Sequence, residues 1–184
     1  MAKHPLMPMA AIQSGDLLAW SKDPYSTWGN LTLEAIRFFT RSEFGHVGIA
    51  WRNHDGLDDE LFVIEATMPH VRIARVTTDR AFMCVPMGTQ WSDDNKRFLV
   101  SKLGYPYGLL DALRAGLGLR VEHDMKWQCA ELAHAFFEAS GVVLKPEFTP
   151  GKLVKNAKAY AKSDVYRVVG PGKTISYDTV ARTA

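Results

Sequence analysis

Residues 42–51 read SEFGHVGIAW. From residue 46 onward the run is apolar enough for a buried strand, and successive side chains of a strand point to opposite faces. His46, Gly48 and Ala50 then share one face, while Val47, Ile49 and Trp51 share the other. A titratable ring at the threshold of an apolar strand, on the face with the small residues, asks for a partner.

The next strand-like stretch, FVIEAT at 62–67, places one carboxylate among apolar neighbours. If 46–51 and 62–67 form an antiparallel hairpin with His46 opposite Thr67, Gly48 faces Glu65; a shift of two residues sets His46 opposite Glu65 itself. In both registers the carboxylate and the imidazole lie on one face. A buried Glu is costly unless it meets a cation or a hydrogen-bond donor, which His46 supplies. Gly48 leaves room for Glu65 to lean toward the ring, and Gly48 with Ala50 predicts a shallow floor on which a helix packs closely.

The remaining elements follow from their start and stop signals. Strands are expected at 16–20 (DLLAW), 71–76 (VRIARV, after a tight MPH turn), about FMCVP at 82–86, and 164–169 (DVYRVV). Helices are expected from Asn30, with Leu33, Ile36 and Phe39 at helical spacing, from Ser92 to Gly104, across KWQCAELAHAFFEAS to Gly141, and from Thr149-Pro150. The fold class is α+β, a short antiparallel meander with helices packed against it. A length of 184 residues predicts one domain spanning 1–184.

Composition narrows the function classes. The chain is 47% hydrophobic, and its net charge of +2 comes from 22 basic and 20 acidic side chains that are interspersed. Without a basic arm or clustered Lys/Arg face, nucleic acid is not expected as a partner. No window of eighteen apolar residues predicts a membrane span, and Pro5 and Pro8 break the N-terminal apolar patch, so no secretory signal is expected. The stretch RVVGPGKT (167–174) is not a phosphate loop, because Arg167 stands at the first glycine position and Pro171 removes an amide. No CxxC, HExxH or comparable pair is present, so neither metal nor cofactor is expected.

Cys84 and Cys129 are the only cysteines, too few for a disulfide framework. Cys129 falls in the opening of a helix, WQCAELAHAFF, where unpaired amides and the positive end of the dipole favour a thiolate. A thiolate that attacks a carbonyl needs an imidazole to take and return a proton, and a third polar group to hold that ring. Among the histidines, His4 lies in the tail, His54 in a loop, His70 in a turn, and His134 five residues beyond Cys129; His46 opens an apolar strand. Cys129 is therefore expected to alkylate near neutral pH while Cys84 resists.

GDLLAW, GHVGIA, VIEAT and QCAELA occur in that order over residues 15–133. In this order the chain resembles the circularly permuted papain-like hydrolases, the YiiX-like branch of the NlpC-type cell-wall hydrolase superfamily. The resemblance implies a papain-like domain in which Cys129 is the nucleophile, His46 the general base and acid, and Glu65 the group orienting His46. It also implies a GxPYD-like stretch; here GYPYGLLDAL supplies Tyr107, with Gly108 in place of the Asp. An oxyanion would be met by the Cys129 N–H, with Gln128 or Tyr107 as a second donor. The implied activity is a cysteine peptidase or amidase working through an acyl-thioester, with peptidoglycan peptides or another amide or acyl compound as substrate and no cofactor. A lipid acyltransferase or thioesterase with the same site, and a non-catalytic binding or virion-structural module, stay open as alternatives. Without a signal, the expected location is the cytoplasm, or the cell wall after delivery by a phage particle or secretion apparatus.

Overall fold

The structure, a computed structural model, describes residues 4–21, 43–53, 60–77, 81–108, 126–146 and 149–169. The helix expected from Asn30 and most of RVVGPGKT lie outside these residues. Among the described residues seven strands form one sheet: β1 (Leu6–Pro8), β2 (Leu17–Ser21), β3 (Phe44–Asn53), β4 (Glu60–Ala66), β5 (Val71–Arg75), β6 (Met83–Val85) and β7 (Tyr166–Val169), in the order β1-β7-β6-β2-β3-β4-β5. Three α-helices accompany it among the described residues: α1 (Asp93–Val100), α2 (Cys129–Ala139) and α3 (Pro150–Ala161). The architecture is α+β, and no helix among the described residues is long and apolar enough to cross a membrane.

Strands β2 to β5 are a meander, but β6 does not extend it: β6 returns to pair with β2 on the other side. The edge pair β1–β7 is parallel, with Leu6 opposite Arg167, so the sheet is antiparallel elsewhere but not throughout. A three-residue strand pairing with one near the far end of the chain carries no local signal.

Two apolar clusters sandwich the central strands. One joins Leu17, Ala19, Val47, Ile49 and Ile64 to Ala130, Ala133, Phe136 and Phe137 of α2 and Leu153 of α3. The other holds Leu18, Ala50, Leu61, Val63 and Phe82 on the opposite face, with Ile12 of the N-terminal segment. Helix α2 thus packs on the Val47/Ile49 face, and the expected floor of Gly48 and Ala50 is corrected. The bulkier face wins because α2 buries Cys129, Ala130, Leu132, Ala133, Phe136 and Phe137 in one stripe, which needs apolar area rather than clearance. Gly48 clears space within the sheet instead: a Cβ there would lie 2.5 Å from Val63 Cγ2, 3.1 Å from the Ile64 carbonyl oxygen and 3.2 Å from Glu65 Cβ.

The helix ends are held as their sequences direct. Ser92 forms a capping box with Asn95, whose Nδ2 also donates to Ser140 Oγ at 2.6 Å, tying α1 to the end of α2. Gly141 takes a positive φ of 77° after α2, and the Val142 amide closes on the Phe137 carbonyl at 2.8 Å. Pro150 opens α3 directly after Thr149.

Candidate active site

The site assembles where β3 begins, β4 ends and α2 starts. The β3–β4 pairing runs from Asn53 opposite Glu60 to Ile49 opposite Ile64, the register in which Gly48 comes to face Glu65. On the other side His46 stands opposite Trp20, and the rings pack with centroids 5.4 Å apart. The register then slips, because Ser21 pairs with Phe44 and leaves Gly45 over. Such a bulge re-aims side chains at a strand's end. Phe44 joins the α2-side cluster, although Ala50, farther along the same strand, packs on the opposite face.

His46 Nε2 lies 2.7 Å from Glu65 Oε2. Glu65 is nearly enclosed, its side chain 7% exposed, against 24% for His46. Its second oxygen, Oε1, accepts from Arg72 Nε at 2.9 Å, with Arg72 Nη2 in ion-pair contact at 2.8 Å. Arg72 is the cross-strand partner of Glu65 in β5, so the register alone delivers the guanidinium. Arg72 was not among the residues expected from sequence. The available signal was the short connection between Glu65 and Arg72, which places them opposite each other once the hairpin closes between Ala66 and Val71.

Cys129 is the first residue of α2, with Gln128 as its N-cap. The Gln128 amide donates to Glu131 Oε2 at 3.4 Å, so the first turn carries a carboxylate at its electropositive end. Cys129 is close enough to the His46 ring to favour its charged form. With Nε2 committed to Glu65, Nδ1 is the ring nitrogen left for the thiol.

Electrostatics follow from these contacts. Burial opposes charge on His46, but the influence of Cys129 and then of Glu65 outweighs it and raises the ring from 6.5 to about 10. Burial would raise the Glu65 carboxyl; His46 and Arg72 outweigh it and hold that group at about 2, below its ordinary 4.5. At neutral pH the arrangement holds an imidazolium against an ionised carboxylate.

Tyr107 comes to the same place from a different direction. Its amide donates to the Pro69 carbonyl at 2.9 Å, and residues 106–108 then bond to Trp127 through Trp127 N–Pro106 O and Gly108 N–Trp127 O, both 3.0 Å. Lys102 lies over the Trp127, Phe98 and Tyr105 rings at 5.1, 5.2 and 5.9 Å. Burial, then the charge of Cys129, pushes the Tyr107 hydroxyl above its ordinary range, so it keeps its proton as a donor. Gln128 is 3% exposed, and its Nε2 has no hydrogen-bond partner among the described residues.

The structure therefore brings Cys129, His46, Glu65, Tyr107 and Gln128 into one neighbourhood and adds Arg72. Cys84 lies elsewhere, fully buried, with its Sγ 3.9 Å from Asp16 Oδ2. Burial, then Asp16, pushes its thiol well above the ordinary range. No protein-family model and no curated protein sequence matches this chain.

Proposed function

We propose that the protein is a cysteine hydrolase of papain-like architecture that cleaves an amide through an acyl-thioester, with peptidoglycan peptides as substrate. One observation carries the reading: a single half-buried imidazole bonded to Glu65 at 2.7 Å and acted on by Cys129 at the first position of a helix. A histidine whose role is only to satisfy a buried glutamate needs no thiol acting on it. The motif order GDL, HVGI, VIEA, CAEL supports the architecture, and the choice of peptidoglycan rests on that resemblance alone.

The chemistry runs from an ion pair. The Cys129 thiolate attacks the carbonyl carbon, an S–C bond forms, and the π pair moves to oxygen. Collapse breaks the C–N bond as imidazolium His46 gives its proton to the departing nitrogen. Water then attacks the thioester, the now neutral ring takes its proton, and the thiolate leaves with the ion pair restored. Because the ring is raised to about 10, it begins the cycle as the acid and becomes a base only after the amine has left. The oxyanion would meet the Cys129 backbone N–H, which has no intrahelical acceptor at that position. The unpartnered Gln128 amide and the Tyr107 hydroxyl are the candidates for a second donor.

Purified peptidoglycan treated with the wild type and with Cys129→Ala, followed by mass spectrometry of released fragments, tests the substrate. New amide-cleavage products with the wild type alone are expected. Identical fragment profiles would refute peptidoglycan as the substrate.

A further inference from the structure

The two oxygens of Glu65 are divided between two partners from two strands: Oε2 faces His46 of β3 and Oε1 faces Arg72 of β5. A carboxylate this enclosed cannot turn without leaving one partner, and an unpaired buried oxygen is costly. Arg72 sets two nitrogens against Oε1, and with Oε2 held by His46 the two oxygens together fix the carboxyl group's rotation. The guanidinium is itself half exposed, its side chain 52% accessible, so its hold on Glu65 faces solvent rather than the core.

We propose that Arg72 is a positioning residue of the Cys129–His46–Glu65 site: by occupying Oε1 it keeps Glu65 ionised and turned toward His46, and so sets the lowest pH at which the site works. The inference rests on the reading of Cys129 and His46 given above. The charged groups acting on Glu65 are His46 from β3 and Arg72 from β5, while Cys129 of α2 acts on the ring. Arg75, on the same strand, bonds to Glu60 at 2.9 Å and provides a control outside the site.

The test is the rate of Cys129 alkylation by iodoacetamide as a function of pH, located by mass spectrometry, in the full chain. Arg72→Gln keeps a donor but loses the charge, and is expected to move the acid limb of the profile upward by about one pH unit. Arg72→Lys keeps the charge without the fork, and is expected to shift it measurably but less; it decides the question alone if Arg72→Gln does not fold. Arg75→Gln is expected to overlay the wild type. Acid limbs of both Arg72 variants that coincide with the wild type would overturn the role of Arg72. If His46→Ala also alkylates with the wild-type profile, the failure is instead that of the Cys129–His46 reading itself.

Discussion

Gly48→Ala is the smallest change that should disturb both the sheet and the site. The added Cβ would lie 2.5 Å from Val63 Cγ2, a methyl of a stiff, β-branched side chain that is 3% exposed, so it cannot be accommodated by swinging a flexible end away. It would also crowd the Ile64 carbonyl at 3.1 Å and Glu65 Cβ at 3.2 Å, so relief requires β3 and β4 to separate locally. Overpacking of this kind costs about 1–3 kcal/mol, which in a chain of this size lowers Tm by about 2–12 °C. The movement falls on the residue whose carboxylate bonds His46 at 2.7 Å, so activity should fall further than the lost folded fraction explains. Thermal unfolding by circular dichroism, paired with Cys129 alkylation rates well below Tm, measures both. A Gly48→Ala protein with unchanged Tm and unchanged alkylation would refute the close approach of these strands.

Cys129 should alkylate at neutral pH in the native protein while Cys84, fully buried beside Asp16, reacts only on unfolding; peptide mass mapping with and without denaturant checks this. Glu65→Gln should lower turnover about a hundredfold or more while leaving the fold intact, read from steady-state rates and circular dichroism. Because the folded Glu65 is held at about 2 against an ordinary 4.5, its contribution to stability is present above about 4.5 and lost as pH falls through about 2; acid melts of the wild type should show this loss and those of Glu65→Gln should not. Asp16→Ala should lower stability by about 2–4 kcal/mol in denaturant titrations, since it orphans the Gln13 and Met87 amides bonded at 2.8 and 2.9 Å, yet leave the pH profile of Cys129 alkylation unmoved.

What the sequence reveals and hides divides along physical lines. The His46–Glu65 pairing is legible because both lie on strands of adjacent segments, where period-two alternation and a short connection restrict the register to two choices. The start of α2 is legible to within a few residues from the apolar stripe that follows Cys129 and the stop at Gly141. Arg72 is hidden because an arginine on an edge strand reads as a solvent-facing charge until the β4–β5 register sets it opposite Glu65. The docking face of α2 is hidden too: small residues at Gly48 and Ala50 suggest room for a helix, whereas the larger apolar area of Val47 and Ile49 attracts it. The bulge at Gly45, which carries Phe44 to the α2 side, depends on a pairing with Ser21 more than twenty residues earlier, and nothing local in GHVGIA announces it.

The central claim is that thiol, ring and carboxylate form one proton-transfer unit, and the titration of the His46 ring tests it most directly. Its ring resonances, followed by heteronuclear NMR from pH 5 to 11 in the wild type and in Cys129→Ala, report the proton that the unit shares. The wild-type ring is expected to stay an imidazolium through neutral pH and to lose its proton near 10, and to titrate lower once the thiol is gone. A wild-type ring titrating near its ordinary 6.5, unmoved by Cys129→Ala, would contradict the account.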